Sequence, residues 1–325
     1  MSTPTSPTSS VTDASPTVDV LVVGGGAAGL SAATVLARSR RSVLVLDAAE
    51  PRNAPADGVH GFLGHDGVPP LELLARGRAE LESYGGRVVT AEAVSATTDD
   101  DAVTVRTAAG DVHRARHLVV TTGAVDRLPE VDGLARHWGR GVVHCPYCHG
   151  WEVRDQRVVV LAASPAAMHQ VGLFGQLTDR LAVLAHDADA LDDAARDRLA
   201  RLDVPVHEGP ATGVVECDGT LVGLETAAGV VPADAVVVAS FVEPRSALLD
   251  GLGLAVLDLE MGGTVLARHV EADPVGRTAL PRVWAAGNVV DPMSQVVLAA
   301  GAGMRLGAAL NGVLVVEDQE TRLAG

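Results

Sequence analysis

The stretch VDVLVVGGGAAGLSAATVLARSRRSVLVLD at residues 18–47 decides the fold. Its first residues, VDVLVV, are mostly apolar, and the following GGGAAG places Gly24, Gly26 and Gly29 in the pattern G-x-G-x-x-G. Apolar residues at helical spacing come next, and a second apolar segment ends at Asp47. Strand, glycine turn, helix, strand and acid in this order predict a dinucleotide-binding unit of the Rossmann type.

The turn and the acid are predicted to hold a dinucleotide cofactor. Glycines allow a tight turn and a close approach to a pyrophosphate, and the helix N-terminus points its dipole at the phosphates. The acid at the end of the second strand accepts hydrogen bonds from ribose hydroxyls. The predicted cofactor-binding residues of this unit are Gly24, Gly26, Ala27, Ala28, Gly29 and Asp47. The motif alone fits either FAD or NAD.

Size, composition and charge exclude several classes of protein. The chain has 325 residues, enough for about two domains, and its formal net charge is −16. Because an acidic chain is a poor binder of nucleic acid and of anionic membranes, neither partner is expected. Residues 1–16 are rich in Ser, Thr and Pro and are predicted to form a disordered tail without the features of a secretory signal. No apolar run long enough for a transmembrane helix is evident, so a cytoplasmic location is expected.

Residues 144–151 read HCPYCHGW, and such a stretch serves three chemistries: attachment of a c-type haem, zinc binding and a redox disulfide. Haem attachment needs export, for which the sequence shows no signal. The chain has 3 cysteines, and His144 and His149 directly flank Cys145 and Cys148, which is poor geometry for four tetrahedral zinc ligands. We therefore predict a redox-active disulfide and no metal site.

Two later stretches connect these motifs to a flavoprotein family. LVVTTGAVDRLP at 118–129 reads as a strand and a Thr-Gly crossover, and LPRVWAAGNVVDPMSQVVLAAGAGMRLGAALNG at 280–312 contains a strand, a Gly-Asn pair and a helix of small residues. From about residue 18 to 315, the chain resembles the low-molecular-weight thioredoxin reductases. The resemblance implies FAD and adds the cofactor-binding residues Arg52, Asn53, Thr122, Gly123, Gly287, Asn288, Gln295 and Val296. Asn288 stands where that family usually has Asp, which removes a charge near the flavin.

The resemblance also predicts the fold class and the domain organisation. The fold is expected to be α/β, with two dinucleotide-binding, Rossmann-like domains. An FAD-binding domain of residues 17–126 and 245–325 is interrupted by a degenerate NAD(P)-type domain, residues 127–244, which carries the C-x-x-C pair. A homodimer is expected on the same ground.

The second dinucleotide turn departs from the pattern that binds NADPH. The strand RVVVL and the segment AAMHQVGLFGQL, which reads as a helix, are joined through AASPAA at 162–167, so Ala162 and Ser164 replace two glycines and Pro165 follows. Added Cβ atoms fill the space that a pyrophosphate needs, and proline removes an N–H donor. Asp187 and Ala188 also stand where thioredoxin reductases carry an arginine pair for the 2′-phosphate. These changes predict that NADPH is not the reductant.

With the NADPH site lost, the resemblance narrows to thioredoxin-reductase-like dithiol oxidases of the gliotoxin and holomycin type, whose C-P-x-C-H-G motif is met at 145–150. It implies oxidation of a small-molecule dithiol to a disulfide, with oxygen as acceptor and hydrogen peroxide as product. Cys145 is expected to meet the substrate and Cys148 to face the flavin, while His149 carries protons. Tyr147, His60 and His65 are weaker candidates for contacts with the substrate.

Two other interpretations stay open at the level of sequence. The first is a thioredoxin-disulfide reductase that uses NADPH, NADH or ferredoxin as electron donor. The second is a flavin-binding redox sensor without turnover. The sequence does not identify the dithiol.

Overall fold

The computed structural model describes residues 17–325, so the tail predicted at 1–16 lies outside the described residues. The strands are β1 (Val18–Val23), β2 (Val43–Asp47), β3 (Arg87–Thr90), β4 (Ala93–Thr98), β5 (Val103–Thr107), β6 (Val112–Val120), β7 (Ala124–Arg127), β8 (Val142–Val143), β9 (Val158–Ala162), β10 (Leu181–Ala185), β11 (Val206–Glu208), β12 (Ala211–Cys217), β13 (Thr220–Thr226), β14 (Gly229–Pro232), β15 (Ala235–Val238), β16 (Phe241–Pro244), β17 (Val256–Met261), β18 (Thr264–Val270) and β19 (Val283–Ala285). The helices are α1 (Ala27–Arg38), α2 (Pro70–Ser83), α3 (Pro146–His149), α4 (Ala167–Phe174), α5 (Asp193–Arg201), α6 (Ala247–Gly251) and α7 (Val296–Ala324).

The first large sheet has seven strands and contains the glycine turn. Strands β3, β2, β1, β6 and β19 run parallel. The first half of β6 also pairs antiparallel with β5, and β5 pairs antiparallel with β4. Val20–Val23 of β1 lie beside Val43–Leu46 of β2, which brings Gly24 and Asp47 to the same carboxyl edge. Ligands of open α/β sheets bind at this edge.

The second large sheet has five parallel strands in the order β11, β10, β9, β15, β8. Its strand β9 and helix α4 form the second strand–turn–helix unit. Valine and leucine fill both of its faces because helices or further strands cover each side, as parallel sheets require. Two such sheets confirm the predicted α/β fold with two Rossmann-like units.

The chain passes between the two large sheets through a smaller, four-stranded sheet. The outgoing strand β7 pairs antiparallel with the returning strand β16, from Ala124 opposite Pro244 to Arg127 opposite Phe241. Just before this ladder, the Thr122 hydroxyl donates to the carbonyl of Arg245 over 2.6 Å, and the Arg245 N–H donates to Gly123 over 2.9 Å. The two crossings are therefore held together directly beside the first turn.

The long helix α7 packs on α1 through small residues. A Cβ added to Gly303 would come within 1.9 Å of the Ala28 carbonyl oxygen, and one added to Gly307 would come within 2.7 Å of the Ala32 carbonyl oxygen. By length and composition alone α7 could cross a membrane, but its Leu306, Leu310 and Leu314 are fully buried in the core of the protein. The run of small residues thus serves close helix packing.

Candidate active site

The glycine turn of the first unit leaves its helix start free to bind an anion. Gly24 has φ +104°, and a Cβ there would lie 2.3 Å from the Thr121 carbonyl oxygen, so only glycine fits. A Cβ on Gly29 would lie 1.9 Å from the Gly24 oxygen, which shows how closely α1 approaches the turn. Within residues 17–325, the N–H groups of Ala27, Ala28 and Gly29 have no acceptor. Three free donors at the start of a 12-residue helix suit a pyrophosphate.

The predicted ribose-binding acid is held in place by two donors. One oxygen of Asp47 accepts the Gly25 N–H over 3.1 Å, and the other accepts from the guanidinium of Arg78 over 2.5 Å. Arg78 comes from α2, and its Nε is buried without a partner among the described residues. The sequence does not predict Arg78 at this site, because Arg78 and Asp47 are 31 positions apart and share no motif.

One cavity of about 1340 Å³ runs from the glycine turn to the C-x-x-C pair. Most of the predicted site residues line it: Gly24, Gly26, Ala27, Ala28, Asp47, Arg52, Asn53, His60, Thr122, Gly123, Cys145, Tyr147, Cys148, His149, Gly287, Asn288, Gln295 and Val296. A Cβ on Gly26 would meet nothing within 4 Å, so this residue faces open space. A cavity of this size that includes both the free N–H groups of the glycine turn and the two thiols fits FAD.

Two predicted residues lie apart from the cavity lining. Gly29 packs against Gly24 at the base of the turn, which is the helix-packing task of the third glycine in such motifs. The His65 ring stands edge-on against Phe62, with centroids 5.1 Å apart, while His60 lines the cavity. Among residues 17–325, no group of three or more His, Cys, Asp or Glu side chains is arranged to hold a metal ion.

The two sulfurs sit at the start of the short helix α3, where Cys145 is the residue before the first turn. The backbone oxygen of Cys145 accepts the N–H groups of Cys148 (3.2 Å) and His149 (3.0 Å). The Cys148 thiol donates to Cys145, which lowers the pKa of Cys145 against the effect of burial and raises the pKa of Cys148. The Gln295 amide lies 3.9 Å from the Cys145 sulfur and lowers its pKa further. In the reduced pair, the negative charge therefore rests on Cys145.

His149 directly follows Cys148 in the sequence. Both ring nitrogens are buried without a hydrogen-bond partner among the described residues. Burial lowers the pKa of His149 below its ordinary value of 6.5, and His60 acts in the same direction, while Glu152 and Asp57 oppose them. The imidazole is therefore neutral at pH 7 and has a free lone pair, as a general base requires.

A polar network that the sequence analysis did not predict lies beside the thiol pair. Arg52 donates two hydrogen bonds of 2.7 Å to the carboxylate of Asp126 and one of 3.0 Å to the Pro292 carbonyl. The Ser240 hydroxyl also donates to Asp126 over 2.8 Å. Burial alone would raise the pKa of Asp126, but the bonds from Arg52 outweigh it and the pKa falls. The network ties the loop after β2 to both crossings.

His144 is enclosed next to this network. Its ring stacks on Trp138 with centroids 5.5 Å apart and an interplanar angle of 17°. Burial lowers the pKa of His144 to about 4, although the carboxylate of Asp126 raises it, so the ring is neutral at pH 7. The pair forms an aromatic wall of the cavity immediately before Cys145.

Asn288 organises the loop that leads into α7. Its amide nitrogen donates to the carbonyls of Asp291 (3.0 Å), Pro292 (3.3 Å) and Ser294 (2.8 Å). An aspartate in this position has no hydrogen to donate to these oxygens. The replacement of the family's usual Asp by Asn288 therefore also allows this side chain to hydrogen-bond the loop before α7.

The second turn uses more of its own donors than the first. The N–H groups of Ala167, Met168 and His169 each donate to the carbonyl three residues earlier, at 3.1 to 3.2 Å. The turn thus closes on itself at the start of α4, which has 8 residues. Asp187 remains more than half exposed after β10, where a 2′-phosphate would need cations.

Comparisons with known proteins agree with this geometry. A family model described as pyridine nucleotide-disulphide oxidoreductase matches residues 18–303. Thioredoxin reductase tcpT of Claviceps purpurea (strain 20.1) is 37% identical over 152 residues, which are 46% of this chain and 47% of that protein. Thioredoxin reductase sirT of Leptosphaeria maculans is 29% identical over 326 residues, covering 94% of this chain and 96% of that protein. The crystal structure of HlmI has a TM-score of 0.87 at 40% identity, covering 95% of this chain and 96% of that one.

The predicted family and cofactor are confirmed by these matches, which extend over both large sheets. The chain belongs to the pyridine nucleotide-disulphide oxidoreductase family and is an FAD-binding, thioredoxin reductase-like oxidoreductase.

Proposed function

We propose that the protein oxidises a small-molecule dithiol to an intramolecular disulfide through Cys145 and Cys148, with oxygen as the final acceptor. One observation carries the proposal. The thiol pair opens into the cavity of the first unit, while at the helix start of the second unit the N–H groups of Ala167, Met168 and His169 are bonded within the turn, so that fewer donors remain for a nicotinamide dinucleotide. The site therefore favours a thiol over NADPH as the electron donor.

In the proposed reaction, the oxidised pair accepts two electrons from the substrate. A substrate thiolate attacks the Cys145 sulfur, so a substrate–Cys145 bond forms and the Cys145–Cys148 bond breaks. The second substrate thiolate then attacks the substrate sulfur of this mixed disulfide, which closes the product and releases Cys145. Since the pKa of Cys145 is lowered, it leaves readily as a thiolate.

The remaining residues handle protons and hold the reacting groups. His149 takes the proton of the incoming thiol, because its ring is neutral and both nitrogens are free. Gln295 stabilises the departing charge on Cys145 from the start of α7. Bound FAD supplies the two-electron acceptor that passes the electrons to oxygen. The sum is a dithiol and oxygen giving a disulfide and hydrogen peroxide.

The test is anaerobic mixing of the yellow protein with a dithiol, NADPH or NADH, followed by oxygen uptake in air. Bleaching by the dithiol alone, together with peroxide formation, supports the proposal. Loss of oxygen uptake in Cys145→Ser and Cys148→Ser is expected, whereas Cys217→Ser, at an exposed cysteine of another sheet, keeps it. Bleaching by NADPH at a comparable rate would overturn the proposal.

A second candidate is a thioredoxin-disulfide reductase driven by NADPH, NADH or ferredoxin. The observation in its favour is that tcpT and sirT are named thioredoxin reductases. For this candidate, a nicotinamide or reduced ferredoxin bleaches the flavin and oxidised thioredoxin restores the colour. A protein that none of these donors bleaches would instead be a flavin-binding redox sensor.

A further inference from the structure

Helix α4 of the second unit forms a wall of the thiol cavity. His169, Gln170 and Leu173 line the cavity together with Tyr147 and His149 of α3. Positions three and four residues apart share a face of a helix, so Leu173 lies on one face with both His169 and Gln170. Val171 and Phe174 of the same helix are buried in the core of the second sheet. The helix is therefore fixed by its inner face and presents its outer face to the cavity.

This wall carries an unpaired hydrogen-bond acceptor. The side-chain oxygen of Gln170 is buried and has no partner among the described residues, and the same holds for both ring nitrogens of His149. Buried polar groups in native proteins nearly always have a partner, so each exception needs an explanation. A few polar groups that converge on one cavity are typical of ligand sites. Here they lie on the cavity that also holds the two reactive sulfurs.

We infer that Gln170 is a specificity-determining residue, whose oxygen accepts a hydrogen bond from an N–H or O–H group of the thiol substrate. The inference rests on the proposed function and narrows its substrate class to thiols that carry such a donor. It also assigns a new task to α4. A helix whose N–H groups from Ala167 to His169 are bonded within the turn contributes its side to substrate binding.

The helix start of α4 does not compete for the same ligand. Its first N–H groups are already bonded within the turn, whereas Gln170 lies further along the helix. The diester phosphates of a pyrophosphate bridge have no hydrogen to donate to this oxygen. The unpaired oxygen therefore fits a ligand that carries an N–H or O–H donor.

The test measures which of two matched thiols Cys145 prefers. The Cys148→Ser protein with bound FAD is equilibrated with equal amounts of mercaptobutanol and pentanethiol and their symmetric disulfides. These thiols differ by one hydroxyl in place of one methyl group. In each exchange, Cys145–SH and RS–SR give Cys145–S–SR and RSH. Peptide mass spectrometry then gives the ratio of the two adducts at Cys145, with exposed Cys217 as the internal reference for intrinsic preference.

The readout is the ratio of the hydroxyl adduct to the methyl adduct at Cys145, divided by the same ratio at Cys217. We expect this value to fall about fivefold on Gln170→Leu, because one neutral hydrogen bond is lost. Gln170→Glu keeps an acceptor oxygen and is expected to retain the preference, which separates the acceptor from mere packing. Gln176→Leu, an exposed glutamine just beyond the same helix, is the matched control and leaves the ratio unchanged.

An adduct ratio that stays the same with and without the Gln170→Leu substitution would overturn the inference, and so would an equal change on Gln176→Leu. The readout needs no turnover and no oxygen. A protein that fails to consume oxygen with any dithiol would therefore contradict the proposed function while the adduct ratio still decides on Gln170.

Discussion

The two strand–turn–helix units have the same topology but differ in how the N–H groups at their helix starts are hydrogen-bonded. In the first unit, Gly24 adopts a left-handed conformation and the first N–H groups of α1 stay free. In the second unit, the N–H groups from Ala167 to His169 bond back to the preceding turn. Free donors at a helix start bind phosphate, and satisfied donors do not. A fold can therefore keep its architecture while its ligand chemistry changes at a few backbone groups.

The difference also explains how the two units divide the work. The first unit supplies a long cavity with features that suit a dinucleotide, whereas the second supplies the thiols and their histidines. Its helix α4 faces the cavity with side chains instead of backbone donors. Four changes test this division.

The first prediction concerns the glycine that brings α1 against its turn. Gly29→Ala places a Cβ 1.9 Å from the Gly24 oxygen, so the helix must move away from the turn. We expect overpacking to cost about 4 kcal/mol of FAD-binding free energy, which makes FAD binding about a thousandfold weaker. A titration of FAD into the apoprotein measures this change. Ser164→Gly in the second turn is the control and is expected to change FAD retention less than twofold. Equal retention in wild type and Gly29→Ala would remove the contrast between the turns.

The second prediction uses the buried histidine beside Cys145. The pKa of His144 is about 4 in the folded protein and 6.5 as its ordinary value, so the unfolded chain binds more protons between these two values. Stability is therefore lost as the pH falls from 6.5 towards 4, by about 3 kcal/mol. In His144→Asn this part of the loss should disappear. Urea unfolding of holoenzyme and variant at pH 7 and pH 4 measures it, and parallel losses in both proteins would contradict it.

The charges around His144 support the sign of this prediction. Asp126 favours the protonated ring, but Arg52 and His149 disfavour it, and burial is the largest effect. The network between Arg52 and Asp126 remains in the variant, so the difference between the two proteins reports on the ring alone.

The third prediction concerns the proton carrier. His149→Gln should lower oxygen uptake with a dithiol about a hundredfold, as removal of a general base commonly does. Because burial lowers the pKa of His149, the neutral base persists below pH 6.5, and the acid limb of the wild-type rate profile should lie below that value. Glu152 and Asp57 oppose this shift, while His60 adds to it. The limb should vanish in His149→Gln and remain in His207→Gln, a histidine on the distant strand β11.

The fourth and smallest effect is expected within the first unit. Asn288→Asp removes the amide that donates to three carbonyls of the loop before α7 and sets a charge against them. We expect FAD binding about fivefold weaker, close to the net value of one hydrogen bond. Asn311→Asp makes the same substitution on α7, where the side-chain oxygen already accepts from Arg41, and should leave FAD binding unchanged. FAD binding that is unchanged in Asn288→Asp would show that Asn288 has no part in ordering the loop.

Several features of the candidate site followed from the sequence because they depend on near neighbours. The glycine pattern, the acid after the second strand and the C-x-x-C-H run lie within short segments, and steric or chemical rules act on them directly. The missing N–H donor at Pro165 in the second turn likewise follows from the residue type alone. The family and the use of FAD, both inferred from such segments, are confirmed.

Other features escaped prediction because their partners are far apart in the chain. Arg52 and Asp126 are 74 positions apart, and Gln295 and Cys145 are 150 apart. No periodicity or motif connects such residues. Gln170 stood in a segment that was interpreted only as a damaged nucleotide site, although the residue lines the thiol cavity and its side-chain oxygen has no partner among the described residues.

By itself, the sequence determined the two Rossmann-like units and the flavoprotein family and predicted the residue types expected to react, since these depend on local sterics and short motifs. Only the tertiary structure decided which groups share one cavity, which backbone donors remain free and which sulfur carries the charge. Those properties arise when the chain crosses between the sheets and brings α3, α4 and the start of α7 together. Hydrogen bonding and burial act over a few ångströms in space, whatever the distance along the chain.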